Sequence, residues 1–352
     1  MVIIFLHGLK VEIDYYYKEH KFKPETNYCA NYEDLYYMAS QIYYSELGHY
    51  DNPAVQPLVD KISLYIQPLL EKTNTRYKWT LSELAGETIK YIECVVCLLL
   101  TEKRDSLDYL SCIKDACLDS QLPKVDIFTL NHDTVLEEYF KRNNIRFTDG
   151  FNKKPEPAIK GFKVRRWNQN LFKKSFKVRL FKLHGSVNWR WFNHKDWENE
   201  LIGIPLSPDP LSPEPWHIED SAGQKSKVDS RLIFLVGTYN KMIDYTRGIY
   251  QELRFQFYRS LRNVDQLIIC GYGFGDEGIN TEILEWIYSS PKNGLVIIHP
   301  RPEELREKVT FPIERMWGKC KEQKKLEIIP KKFEETSWHD VKDILFKNIQ
   351  MT

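Results

Sequence analysis

Six short apolar runs, each ending in a polar or glycine-bearing turn, dominate the chain from Lys124 onward. They are Val125–Leu130, Val178–Leu183, Leu232–Val236, Leu267–Cys270, Leu295–Ile298 and Leu326–Ile329. Between them lie stretches with helical spacing, Tyr250–Leu261 and Ile279–Tyr288 among them. A strand that is apolar at nearly every position is buried on both faces, and such strands alternate with helices in parallel sheets. The pattern predicts an α/β fold built on a parallel sheet with helices on both faces. Ligands of such sheets bind beyond the carboxyl ends of the strands, so the residues following each run are the ones to read for chemistry.

Tyr32 to Leu118 has a different texture. Leu35, Met38, Ala39 and Ile42 recur at helix spacing, as do Leu58, Ile62, Tyr65, Ile66 and Leu69. A third helix is predicted to start after Thr80, with Glu83 as capping-box partner, and to run through Ile92, Val95, Val96 and Leu99. Asn52-Pro53 reads as an internal break. The expected organisation is a first strand and altered phosphate loop in residues 1–30, a helical insertion in 31–120, the core in 121–330 and a C-terminal helix in 331–352. Gly203 to Gly223, with five prolines, reads as an irregular surface loop. Lys160–Lys177, rich in lysine and arginine, reads as a solvated connection between two strands.

Bulk charge excludes a simple electrostatic partner. Fifty basic residues against 49 acidic ones leave a net charge of +1 over 352 residues, which makes no case for nucleic acid or a membrane. The seven cysteines are an odd count without a secretory signal, as expected of reduced thiols in a cytoplasmic chain. The opening Met-Val-Ile-Ile-Phe-Leu is too short for a signal peptide core and reads as a buried strand, and Cys94–Leu100 is far too short to span a bilayer. Cys94-x-x-Cys97, with Cys112 and Cys117, has the numerical look of a zinc site. It falls in an apolar helical run, where free cysteine packs as a small hydrophobe, so no metal is expected. Aromatic residues make up 14% of the chain, compatible with large buried or interfacial surfaces.

Three strand ends carry candidate chemistry. Thr129-Leu130-Asn131-His132-Asp133 places an amide and a carboxylate at the ligand edge, where they can hold a ribose hydroxyl or a water. The competing reading is that Asn131 or Asp133 caps a helix starting near Thr134. Phe181-Lys182-Leu183-His184-Gly185-Ser186-Val187-Asn188-Trp189 ends a strand in a histidine whose ordinary pKa suits a general base; a histidine satisfied at the core rim is the plainer reading. Cys270-Gly271-Tyr272-Gly273-Phe274-Gly275-Asp276-Glu277-Gly278-Ile279-Asn280 puts glycines between a strand and a helix, where backbone can approach a phosphate, although tight turns also need glycine. The same caution covers Gly237-Thr238.

Together, and in this order, the three motifs resemble the sirtuin family, most closely its bacterial branch of NAD-degrading defence proteins. The resemblance covers Asp126 to Pro300. It implies a Rossmann-like parallel sheet, here with a helical insertion. It implies that Thr129, Asn131 and Asp133 lie beside the nicotinamide ribose, that His184 is the general base, and that Gly271, Tyr272, Gly273 and Phe274 meet the adenosine half. Gly237 and Thr238 would also contact the dinucleotide, and His299, after Leu295–Ile298, the adenine ribose. NAD would be the substrate. The branch further implies a homo-oligomer working beside a hexameric DNA-translocating ATPase or another defence partner.

Two departures bear on that reading. The family's Gly-Ala-Gly-x-Ser loop should follow Val2–Leu6, but His7-Gly8-Leu9-Lys10 stands there and only Gly8 fits. Either the true beginning of the protein differs from Met1, or NAD binding is weak or absent. The zinc ribbon of protein deacylases is also missing, since no cysteine lies between His184 and Cys270. Water is then the expected acceptor, giving an NAD glycohydrolase. The alternatives are a nucleotide-sensing scaffold without turnover and an NAD-dependent protein deacylase.

Overall fold

The computed structural model describes residues 2–19, 30–46, 56–73, 79–102, 104–159, 162–193, 201–205, 216–219, 223–236, 245 and 248–350. The chain divides into two compact units, residues 1–101 with 234–244, and residues 102–233 with 245–352.

The first unit is helical: α1 (Val2–Glu19), α2 (Tyr32–Glu46), α3 (Gln56–Thr73) and α4 (Leu81–Leu100). The opening apolar run is therefore a helix and not the expected strand. Phe5 is followed at four-residue steps by Leu9 and Ile13, and all three are buried against Met38, Ile42, Val59, Ile62 and Leu84. That spacing emerges only in a window longer than the first six residues. Gly8 sits inside α1 and belongs to no loop after a strand. α4 starts as predicted: the Thr80 hydroxyl accepts from the Glu83 N–H and the Glu83 carboxylate accepts from the Thr80 N–H. Asn52-Pro53 lies outside the described residues.

The second unit is mixed α/β, with parallel sheets flanked by helices. Its first elements are α5 (Ser111–Leu118), β1 (Val125–Thr129), α6 (Val135–Arg142) and β2 (Phe147–Thr148). Next come β3 (Glu156–Ile159), β4 (Phe162–Arg166), β5 (Val178–Lys182), β6 (Gly185–Asn193), β7 (Leu201–Pro205), β8 (Trp216–Glu219) and β9 (Lys225–Phe234). The last stretch holds α7 (Gly248–Leu261), β10 (Gln266–Cys270), α8 (Glu277–Ser289), β11 (Gly294–Ile298), α9 (Pro302–Lys308), α10 (Phe311–Glu322), β12 (Leu326–Ile329) and α11 (Trp338–Gln350).

Five of the six apolar runs are parallel strands, and with the short β2 as a sixth they form two sheets of three, in the orders β1-β5-β2 and β10-β11-β12. The middle strands β5 and β11 are buried at all five positions. The sixth run departs from expectation. Only Leu232–Phe234 of it lies in β9, whose earlier half reads Lys-Ser-Lys-Val-Asp-Ser and pairs antiparallel with β8 in a six-stranded sheet ordered β3-β4-β7-β6-β9-β8. That sheet also claims parts of two segments read as irregular: Phe162–Arg166 is β4, and Gly203–Pro205 closes β7 while Trp216–Glu219 is β8. Trp189 of β6 joins an aromatic cluster with Phe151, Trp167 and Phe172.

Of the four cysteines read as core packing, Cys97, Cys112 and Cys117 are buried, whereas Cys94 is exposed. Cys117 lies with Tyr139, Phe140 and Leu180, and Cys112 with Val296, Ile298 and Val341. Among the described residues no helix is long and apolar enough to cross a membrane, and no cluster of metal-ligating side chains occurs.

Candidate active site

The strand ends bring three motifs to one place. β1 and β5 run in parallel register, and the Leu183 N–H donates to the Thr129 carbonyl at 2.9 Å, so the turns after the two strands stay joined. The His132 carbonyl then accepts from the Val187 N–H at 3.0 Å and from the Ser186 hydroxyl at 3.1 Å. The Asn131–Asp133 turn is thereby stitched to the His184–Val187 turn, and the rings of His132 and His184 stand 6.1 Å apart. Lys182, almost wholly buried, donates to the Asp133 carbonyl and reaches Glu137 at 3.2 Å. Burial pushes the Glu137 carboxyl up, against the pull of the Lys182 charge.

His184 leaves β5 at a point where Gly185 takes a φ of 78°, which favours glycine. Its ring is buried. Nε2 lies 2.8 Å from Asp276 Oδ2 and 2.6 Å from the Tyr245 hydroxyl, and that hydroxyl donates to the same Asp276 oxygen at 2.9 Å. Asp276 uses its other oxygen to cap α8, accepting from the Ile279 N–H at 3.0 Å. Burial alone would raise the Asp276 carboxyl. Hydrogen bonds from His184, Ile279 and Tyr245, with the His184 charge, outweigh it and hold the carboxyl at about 2. Burial and the Asp276 charge push the Tyr245 phenol up, so it stays protonated.

An ionised Asp276 fixes the histidine. Nε2 must carry the proton that the carboxylate accepts, which leaves Nδ1 with the lone pair. The arrangement of buried acid, phenol and imidazole can take a proton at Nδ1 without moving a heavy atom.

The glycine-rich turn between β10 and α8 is held from within. Tyr272 donates to the Asn280 side chain at 2.8 Å and to the Asp276 carbonyl at 3.1 Å, while the Asn280 amide donates to the Phe274 carbonyl at 2.8 Å. Gly271 has a φ of 65°, and open space surrounds the positions a side chain would take at Gly271, Gly273 and Gly275. Backbone there is free to meet a ligand.

The remaining predicted residues are distributed unevenly. Asn131 is exposed, its N–H held by the Thr129 hydroxyl at 3.1 Å. Asp133 Oδ1 accepts from the Val135 N–H at 3.0 Å, an i to i+2 turn bond at the entry to α6, whose cap position is Thr134 and carries no side-chain capping bond. His299 follows β11, with Nδ1 accepting from the Arg301 N–H at 3.1 Å. Gly8 lies in α1, and Gly237 and Thr238 fall outside the described residues. Asp276 stood in a quoted motif but received no role, because its neighbours in sequence do not reveal that it reaches His184. Tyr245 was missed altogether; it sits in no motif, and only the fold brings it to the histidine.

None of the curated proteins compared with the chain matches it. The SIR2-like domain matches residues 125–329, more than half of the chain, from the first residue of β1 to the last of β12. The stretch holds His184, Asp276 and the glycine-rich turn, and the chain therefore belongs to the SIR2-like family, whose members are generally NAD-dependent enzymes.

Proposed function

We propose that the chain is an NAD glycohydrolase, cleaving NAD to nicotinamide and ADP-ribose. The observation that carries the reading is the buried His184, held by Asp276 and Tyr245 at the strand ends beside an open glycine turn. In the reaction the bond from ribose C1′ to the nicotinamide nitrogen breaks, and a water oxygen bonds to C1′. His184 takes the water's proton at Nδ1, and nicotinamide leaves as a neutral molecule. Departure of nicotinamide generates an oxocarbenium-like sugar, so oriented polar groups matter more than a strong acid. The exposed Asn131 amide would hold a ribose hydroxyl or that water, with Asp133 fixing the turn that presents it. By analogy with the defence branch, we further propose a cytoplasmic homo-oligomer activated by a partner such as a hexameric DNA-translocating ATPase.

A second reading is a nucleotide-sensing scaffold. It is favoured by the place of Gly8 within α1, which leaves the family's phosphate loop without a counterpart among the described residues. The test is nicotinamide release from NAD followed by chromatography, with NAD binding measured by calorimetry. Release abolished by His184→Ala and by Asn131→Ala is the expected result. Binding without release would overturn the hydrolase reading in favour of the nucleotide-sensing scaffold, and absence of both would overturn the two readings together.

A further inference from the structure

Charge is nearly balanced over the whole chain but not along it. Residues 141–177 hold twelve basic residues and two acidic ones, a region of +10 in a chain of net +1, so the remainder carries −9. Sequence alone reads the run as a solvated connection, because it does not say whether the charges spread or converge. In the fold they converge. β2 and β5 pair in parallel with Phe147 opposite Val178, so the segments entering these two strands run together. Phe176, half-buried just ahead of β5, faces two cations from elsewhere in the chain. Arg146 Cζ lies 5.3 Å and Lys153 Nζ 5.2 Å from its ring centroid. The Asn152 N–H donates to the Arg166 carbonyl at 2.9 Å, which sets the end of β4 beside Lys153. The Phe176 N–H donates to the Lys174 carbonyl at 2.8 Å and closes the turn that carries Lys173 and Lys174 next to the ring.

Arg146, Lys153, Lys154, Arg166, Lys173 and Lys174 are all exposed, and among the described residues none of the six is in an ion pair. Asp149, which lies within the region, is buried and committed to Arg165 at 2.8 and 2.9 Å. A surface that serves only solubility intersperses both signs. Two cations drawn to one ring with no acid between them repel each other, and an anion bound there relieves that repulsion. The patch is distinct from the candidate active site. Phe176 precedes β5 and His184 follows it, so the five residues of the strand, about 17 Å, separate the two.

We propose that this patch docks the phosphate backbone of double-stranded nucleic acid, without regard to base sequence. Between Leu118 and Phe255 no large hydrophobic side chain is exposed among the described residues. The patch therefore has nothing to insert into a bilayer and offers no apolar centre to a protein partner. Its one central ring is half-buried and already faced by two cations, so the bases of a single strand find no platform to stack on. A duplex presents its phosphates outward and needs none. The −9 on the rest of the chain repels a polyanion, which steers its approach to this face.

The test is fluorescence anisotropy of the full chain with a labelled 20-base-pair DNA duplex of arbitrary sequence, and with an RNA duplex of the same length in a second arm. Binding by either duplex upholds the proposal, and the two affinities tell which source the surface prefers. With six cations on phosphates, log Kd should rise with log salt at a slope of about 5, a loss of about a thousandfold between 50 and 200 mM. Lys173→Gln with Lys174→Gln should lower that slope by about 2 and weaken binding more than about tenfold at 100 mM salt. Arg146→Gln with Lys153→Gln, at the ring, is the second variant and should do the same. Lys173→Arg with Lys174→Arg keeps the charges and should keep the binding. Lys308→Gln with Lys321→Gln removes as much charge from exposed positions outside the patch and should change affinity by less than about twofold. Equal losses in the patch and outside it, a slope near zero, or a thymidine 20-mer binding as tightly as the duplexes would overturn the proposal. Tighter binding to phosphatidylserine vesicles than to either duplex would make the partner a lipid surface and overturn it as well. None of these readouts involves nicotinamide release, so they stand apart from the proposed function.

Discussion

Replacing Asp276 with asparagine tests the site where fold and chemistry meet. The substitution keeps an oxygen for the Ile279 N–H, so the α8 cap survives, but it turns an amide donor toward His184 Nε2 and Tyr245. Nε2 must then accept, the ring proton moves to Nδ1, and the nitrogen proposed to take the water's proton is blocked. Loss of the correct tautomer should lower turnover by about 10²- to 10⁴-fold. Stability gives an independent reading. The carboxyl sits at about 2 against an ordinary 3.8, and at about 1.4 kcal/mol per pKa unit the difference is worth about 2 kcal/mol. Because the folded value is the lower one, this contribution is present above pH 4 and is lost as pH falls toward 2. Urea unfolding at pH 7 should show the variant weaker by that amount, with the gap closing in acid. A gap that does not change with pH, or a variant with full turnover, would refute the reasoning.

Three further outcomes follow from buried or special positions. Lys182→Met strands the buried Glu137 carboxyl and frees the Asp133 carbonyl, so urea unfolding should show a loss of about 3–5 kcal/mol; a loss below about 1 kcal/mol would mean Glu137 simply takes up a proton at no cost. Gly271→Ala meets open space but must adopt a φ of 65°, costing about 1–2 kcal/mol. Gly273→Val, equally open and without that strain, should leave thermal stability unchanged while weakening NAD binding in calorimetry.

Strand runs and caps were legible because they are local. The apolar runs at 125, 178, 267, 295 and 326 are strands, and the Thr80–Glu83 capping box is formed as read. The opening run misled because six apolar residues fit a strand or a helix equally well, and the four-residue steps to Leu9 and Ile13 decide the matter. Leu232–Val236 misled for a related reason: apolarity reports burial, and direction of pairing is set by a hairpin partner distant from the run. The candidate site was half legible. His184 is marked by its place after a strand, whereas its partners come from 61 and 92 residues further along the chain. Contacts at such separations leave no periodicity to read.

Phe274 shows how the glycine-rich turn is made ready. Its φ of 54° is one that aromatic residues avoid, and yet its ring is almost wholly buried beside Tyr272 and Trp317. The strain is met during folding by burial of that ring, long before any ligand arrives. A ligand reaching the turn consequently finds the backbone already in one shape, and its affinity is not reduced by the entropy of ordering a loop. Glycine at this position would relieve the strain and forfeit that advantage, giving a more relaxed turn that binds less tightly.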